Sequence, residues 1–99
     1  MTIQNLFNSL LRRGYSARLV KMSFGDTAIM IDHDYTGLYP DASALAIHDA
    51  VSKIGAKYGY HTEQRGHWSG TLIRDRDAIA AEKKHFEEIN KFWEVRHAV

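Results

Sequence analysis

Ninety-nine residues, 44% of them hydrophobic and one of them proline, suffice for a single domain with its own core and exclude a disordered chain. The absence of cysteine excludes disulfides, thiolate catalysis and cysteine-bound zinc, and fits a reducing compartment. A formal charge of +1 excludes a chain held on nucleic acid by bulk positive charge and equally an acidic mimic of it, although protonating all six histidines would raise the charge from +1 to +7.

No apolar run approaches the roughly 18 residues a bilayer span requires, and no charged-then-apolar leader opens the chain. The expectation is a soluble, cytoplasmic single domain over residues 1–99, with no cofactor.

Thr2 to Arg13 reads as a first helix. Ile3, Leu6, Phe7, Leu10 and Leu11 form a broad apolar face, Arg12 and Arg13 suit the negative helix end, and Gly14 can stop it. Tyr15 to Asp32 reads as a hairpin with a two-residue turn at Gly25-Asp26. That register sets Phe24 against Thr27, Met22 against Ile29 and Val20 against Ile31 on a dry face. Ser23, Lys21 and Leu19 then meet Ala28, Met30 and Asp32 on a mixed one.

A loop rich in Asp, Tyr, Gly and Pro runs from Asp32 to Asp41. Then comes the element around which the chain is organised, a helix within Pro40 to Tyr60. Ala44, Ile47, Val51, Ile54 and Tyr58 recur at steps of three and four. Asp41 is placed to cap its start and Gly59 to end it, with His48, Asp49, Ser52, Lys53 and Lys57 turned to water. Gly55 inside it costs about 1 kcal/mol against alanine and marks a close approach of another backbone.

Tyr60 to Ile73 reads as a second hairpin turning near Gly66-His67, with Tyr60 against Ile73 and Thr62 against Thr71. Asp77 can cap a third helix to about Val95, with Ile79, Phe86, Ile89 and Trp93 on its stripe and Phe92 beside it. The fold class is therefore α+β, in the order α-β-β-α-β-β-α: a four-stranded antiparallel sheet from two hairpins, with helices packed on one face. The two helix-plus-hairpin halves echo each other through Gly14-Tyr15 and Gly59-Tyr60, without the identity of a repeat.

Ile29 to Gly37, an apolar strand followed by Asp32-His33-Asp34-Tyr35-Thr36, resembles the nucleophile motif of haloacid dehalogenase-like phosphotransferases. The resemblance covers nine residues. It implies Asp32 as nucleophile, Asp34 as acid/base and a magnesium ion between them, on a parallel sheet in a longer chain. Here the motif follows a tight hairpin, which requires antiparallel strands. The same letters match the start of a calcium loop, but its twelfth position, where a bidentate glutamate belongs, is Ser43. Turn formation explains these residues more simply, leaving Asp32 and Asp34, with Asp41, as weak metal candidates and no catalytic set.

The six histidines have no pair on one helix spaced to share a metal, while His61 and Glu63 alternate on one strand face. His61, Glu63, Arg65, His67 and Trp68 make the second hairpin too polar for a core strand and supply the Trp and Arg that anchor protein interfaces. The expected function is thus a non-enzymatic module that captures a partner protein through this hairpin. Small chains without cysteine are common among accessory proteins of viruses and mobile elements, including inhibitors of host systems, and that is the expected type. Nucleic-acid binding through Arg12, Arg13, Arg18, Lys21, Arg74 and Arg76 is the second reading, and a metal-assisted phosphohydrolase at Asp32/Asp34 the third. Phe92 and Trp93 point about 100° apart on the last helix, a pattern that suggests a homodimer.

Overall fold

The computed structural model describes residues 1–33, 41–66 and 68–97. The elements follow as α1 (Ile3–Arg12), β1 (Ala17–Lys21), β2 (Thr27–Asp32), α2 (Ala42–Lys57), β3 (Tyr60–Arg65), β4 (Gly70–Asp75) and α3 (Arg76–His97). The four strands form one antiparallel sheet in the order β1-β2-β4-β3. Each hairpin thus supplies one edge strand and one interior strand, and the halves join where β2 meets β4.

The helices begin and end where their flanking residues dictate. The Thr2 hydroxyl accepts from the Asn5 amide and starts α1. Gly14, with φ +88, carries the chain out of it into β1. The Asp41 carboxylate accepts from the Ala44 amide at 2.8 Å and starts α2, and Gly59, with φ +80, leads out of it. The cap of α3 is Asp75 rather than Asp77: its Oδ1 accepts from the Asp77 amide at 2.7 Å and the Ala78 amide at 3.3 Å. Asp77 lies in the first turn, where its charge suits the positive helix end. β4 therefore passes into α3 with no connecting residue.

α1 and α2 lie on one face of the sheet. Leu6 and Leu10 of α1, Val51 of α2, and Ile29, Ile31, Tyr60 and Ile73 of the sheet close the core between them. The Tyr60 hydroxyl donates to the Met1 carbonyl at 2.7 Å and ties the chain start over this core. The line along which α2 rests is shifted by about one residue from the expected stripe. Ala44, Val51 and Gly55 are buried, with half-buried His48 on the same line and Ile47, Ile54 and Tyr58 on the flank. Small side chains let the helix sit low: a methyl group on Gly55 would lie 2.7 Å from Thr62 Cγ2.

Both hairpin registers differ from expectation. In the first, Met22 and Asp26 close a three-residue loop, and Gly25 takes the left-handed conformation at φ +95 that such a loop demands. Ala17, Leu19 and Lys21 therefore stand opposite Ile31, Ile29 and Thr27, a slip of three, so Leu19 and not Val20 shares the face of Ile29. In the second, Tyr60 meets Asp75 and Thr62 meets Ile73, a slip of two that leaves the paired residues of β3 and β4 on their expected faces, while Trp68 falls in the loop and turns to the face of α2.

The opposite face of the sheet is held differently. Arg74 is buried and lies between two carboxylates, Asp26 of the β1–β2 loop and Glu82 of α3. Its Nε and Nη2 donate to both Asp26 oxygens at 2.8 and 2.9 Å, and Nη1 donates to Glu82. The helix packing expected on one face thus holds for α1 and α2, while α3 leaves along the other. Phe24 leans on His85, their rings 5.5 Å apart, and beyond that point α3 stands clear of the body. The radius of gyration of 16.2 Å, against about 13 Å for a compact chain of this length, and the longest extent of 55 Å both reflect that projection.

Candidate functional site

Two places in this fold carry polar chemistry or exposed apolar surface. The first lies at the end of the sheet where β2 leaves and β4 begins. The His33 amide donates to the Ser69 carbonyl at 2.9 Å, extending the β2–β4 ladder and swinging the imidazole under the β3–β4 loop. There its Nδ1 lies 2.7 Å from the Trp68 carbonyl and its Nε2 2.6 Å from Thr71 Oγ1. His48 of α2 brings its Nδ1 to 2.9 Å from the same hydroxyl, and its ring meets Trp68 edge-on at 5.3 Å.

The carbonyl sets the direction of this chain. A carbonyl only accepts, so His33 Nδ1 carries the proton, and in the neutral ring Nε2 then accepts from the Thr71 hydroxyl. With its one proton committed, Thr71 Oγ1 accepts from His48 Nδ1–H. Both neutral imidazoles are thereby fixed as Nδ1–H tautomers, coupled through one oxygen. Partial burial, and behind it the neighbouring His33, push the His48 pKa below its ordinary 6.5, against a smaller opposing pull from Asp49. Trp68 sits at φ +71, a conformation that side chains other than glycine rarely adopt. It is held there from both sides, its amide donating to Gln64 Oε1 at 2.9 Å and its carbonyl accepting from His33.

Hydroxyl, imidazole and orienting carbonyl in series have the parts of an activated nucleophile, but not the access. Thr71 is completely buried and His33 nearly so, and no substrate atom can approach the hydroxyl. The arrangement pins β2, β4, α2 and the β3–β4 loop together. Neither histidine stood out as a core residue in the sequence. The signal was nonetheless present, since His33 continues the inward alternation of Ile29 and Ile31, and His48 lies four residues after Ala44.

The residues expected to form a partner-binding hairpin do not share one surface. His61 and Glu63 stand opposite Arg74 and Leu72 on the sheet face away from α1 and α2, with Glu63 paired to Arg65 at 2.8 Å. Trp68 lies on the other side of the sheet against His48. His67 lies outside the described residues, as do Asp34 and most of the Asp32–Asp41 loop.

The basic set is also dispersed. Arg12 and Arg13 end α1, and Arg18 projects from the opposite sheet face, 3.9 Å from Asp32. Lys21 and Arg76 are exposed elsewhere, at the end of β1 and the start of α3. Arg74, buried between two carboxylates, is withdrawn from any phosphate. Those carboxylates push its pKa up, and the Arg74 guanidinium holds the Asp26 carboxyl below its ordinary 3.8. Asp32 ends a strand antiparallel to both neighbours, unlike the parallel sheet of the phosphotransferases its motif resembles. Among the described residues, no group of three or more His, Cys, Asp or Glu side chains is placed to hold a metal ion.

The second place is α3 itself. From Lys83 to Trp93 every residue is exposed, and Phe86 (54%), Ile89 (36%), Phe92 (59%) and Trp93 (50%) lie along that length. Spacings of three and four put them on one side of the helix, with Lys84, Glu87 and Lys91 behind. No helix of the described residues is long and apolar enough to cross a membrane.

Comparisons of the chain with protein-family models, with curated proteins and with solved structures found no match.

Proposed function

We propose that the protein is a non-enzymatic association module whose contact element is α3. One observation carries the reading: an amphipathic helix extends beyond the body with four large apolar side chains exposed in a row. A lone helix segment of this length is marginal in water and draws its stability from burying an apolar face. Scattered apolar residues on a surface are ordinary, but a contiguous row is the mark of an interface. The aromatic content supports the same reading, because Trp and other aromatic side chains dominate the energetics of protein contacts.

The polar strand face with His61, Glu63 and Arg65 is secondary in this reading, its charges already paired in part. Sedimentation of the wild-type chain, purified and in extract of its source, should show species heavier than the 11.3 kDa chain. Phe86→Glu combined with Ile89→Glu should return it to the mass of a single chain without altering its circular dichroism. Arg65→Ala should leave the heavier species in place. Sedimentation unchanged by the paired glutamates overturns the proposal.

A further inference from the structure

We infer that the occupant of the α3 face is the α3 helix of a second copy, packed antiparallel, with Ile89 of each chain on the two-fold axis. This rests on the association role of α3 and assigns its partner and register.

The pattern along α3 is palindromic about Ile89. Phe86 and Phe92 stand three residues to either side, and His85 and Trp93 stand four to either side. At 100° per residue all five fall within a wedge about 60° to each side of Ile89. A helix reversed about that point presents the same row of apolar and aromatic groups. The surface is therefore complementary to itself, which is the defining property of a closed two-fold contact. In the antiparallel register Phe86 meets the partner's Phe92, His85 meets the partner's Trp93, and Ile89 packs on itself.

A parallel pairing fits less well. α3 starts directly from β4, so parallel helices would bring both sheets to one end, where the Phe24 side chain and the Arg74–Glu82 pair already flank the helix. It would also align Lys83 and Lys84 with themselves, and Glu87 and Glu88 with themselves. Antiparallel pairing sets the two bodies at opposite ends and opposes the helix dipoles.

The area is of the right order for one helix pair. An aromatic side chain buries about 150–250 Å² when fully covered. Half-exposed Phe86, Phe92 and Trp93 with Ile89 and His85 then offer roughly 400–500 Å² per chain. The polar stems of Lys83, Glu88 and Asn90 on the flanks bring the total for both chains to about 1,000–1,200 Å², the lower end of specific interfaces. A reversible dimer, concentration-dependent in dilute solution, is the form this predicts.

The absence of native cysteine makes the register directly readable. The purified chain should sediment as a monomer–dimer equilibrium, and I89E should weaken self-association by at least about thirty-fold, as loss of a central interface anchor does. Under mild oxidation I89C should form a disulfide-linked dimer. F86C mixed with F92C should give the mixed disulfide in excess over either symmetric one, because two copies of position 86 stand about 9 Å apart along the antiparallel axis. A symmetric F86C disulfide forming in preference would show a parallel pair and overturn the assignment. A purified chain that stays monomeric at every concentration also overturns it. In that case, loss of extract complexes in the Phe86→Glu, Ile89→Glu chain would still leave α3 as the contact element for a different partner.

Discussion

The two faces of this sheet solve the same packing problem with opposite chemistry, and neighbouring residues of β4 show it. Ile73 points to the face that α1 and α2 cover and is sealed among aliphatic side chains. Arg74, the next residue, points the other way and is sealed by two carboxylates. An aliphatic cluster tolerates loss of one member by partial collapse. An ion triad does not, because removing the cation leaves two acidic groups facing each other with little water. The covered face needed two helices, whereas the clasped face needed one arginine, and α3 is exposed from Lys83 to Trp93.

The sharpest way to break this contrast is Arg74→Ala, expected to cost about 3–5 kcal/mol in denaturant unfolding. Because Arg74 holds the Asp26 pKa down, its contribution is present above the ordinary carboxylate pKa of 3.8 and is lost as pH falls below it. The gap between wild type and variant should therefore narrow in acid. A gap independent of pH would show that packing, not charge, makes the clasp. Ile73→Ala, on the adjacent residue, should cost about 2–5 kcal/mol with no such narrowing.

Gly55→Ala tests how closely α2 lies on the covered face. Overpacking against Thr62 should lower stability by about 1–3 kcal/mol, although alanine favours helix. A neutral or stabilising result would mean that α2 lifts freely. A smaller effect comes from His48. Its native pKa lies below the ordinary 6.5, so the unfolded chain takes up the proton first, and stability falls as pH drops through 6.5. His48→Gln should flatten the slope of unfolding midpoint against pH between about 7.5 and 5.5. An unchanged slope would assign that titration to other histidines. Smallest of all, Phe86→Glu with Ile89→Glu should move the stability of the isolated chain by no more than about 0.5 kcal/mol. A large loss would place the α3 stripe in the core and remove it as a contact surface.

Much of the architecture was legible, and the misses have definite causes. Asp41, Gly14 and Gly59 mark helix ends by local chemistry, so those boundaries could be read without knowing the fold. Loop length in a hairpin could not. Gly25 serves either a two-residue or a three-residue loop, and β1 is apolar at both Leu19 and Val20, so nothing in its own pattern resists an odd slip. The second hairpin slipped by two, and its inward residues survived because the side-chain period is also two.

The histidine network was missed for a different reason. Its members come from β2, α2, β4 and the β3–β4 loop, and only the β2–β4 pairing brings them to one point. Arg74 was likewise legible as a cation but not as a buried one, since Asp26 and Glu82 meet it from opposite directions in the chain. The projecting helix, by contrast, was foreshadowed by aromatic residues too numerous for one side of a small core.

The junction at Asp75 has a mechanical consequence. One carboxylate ends an interior strand and starts a long helix, so there is no swivel between them. The bearing of the arm is inherited from a strand clamped on both edges, and a sideways load on its tip is delivered as torque to the ladder rather than absorbed by slack chain. Anything that grips the arm is thereby set at a fixed distance and angle from the sheet, as by a bracket rather than a tether.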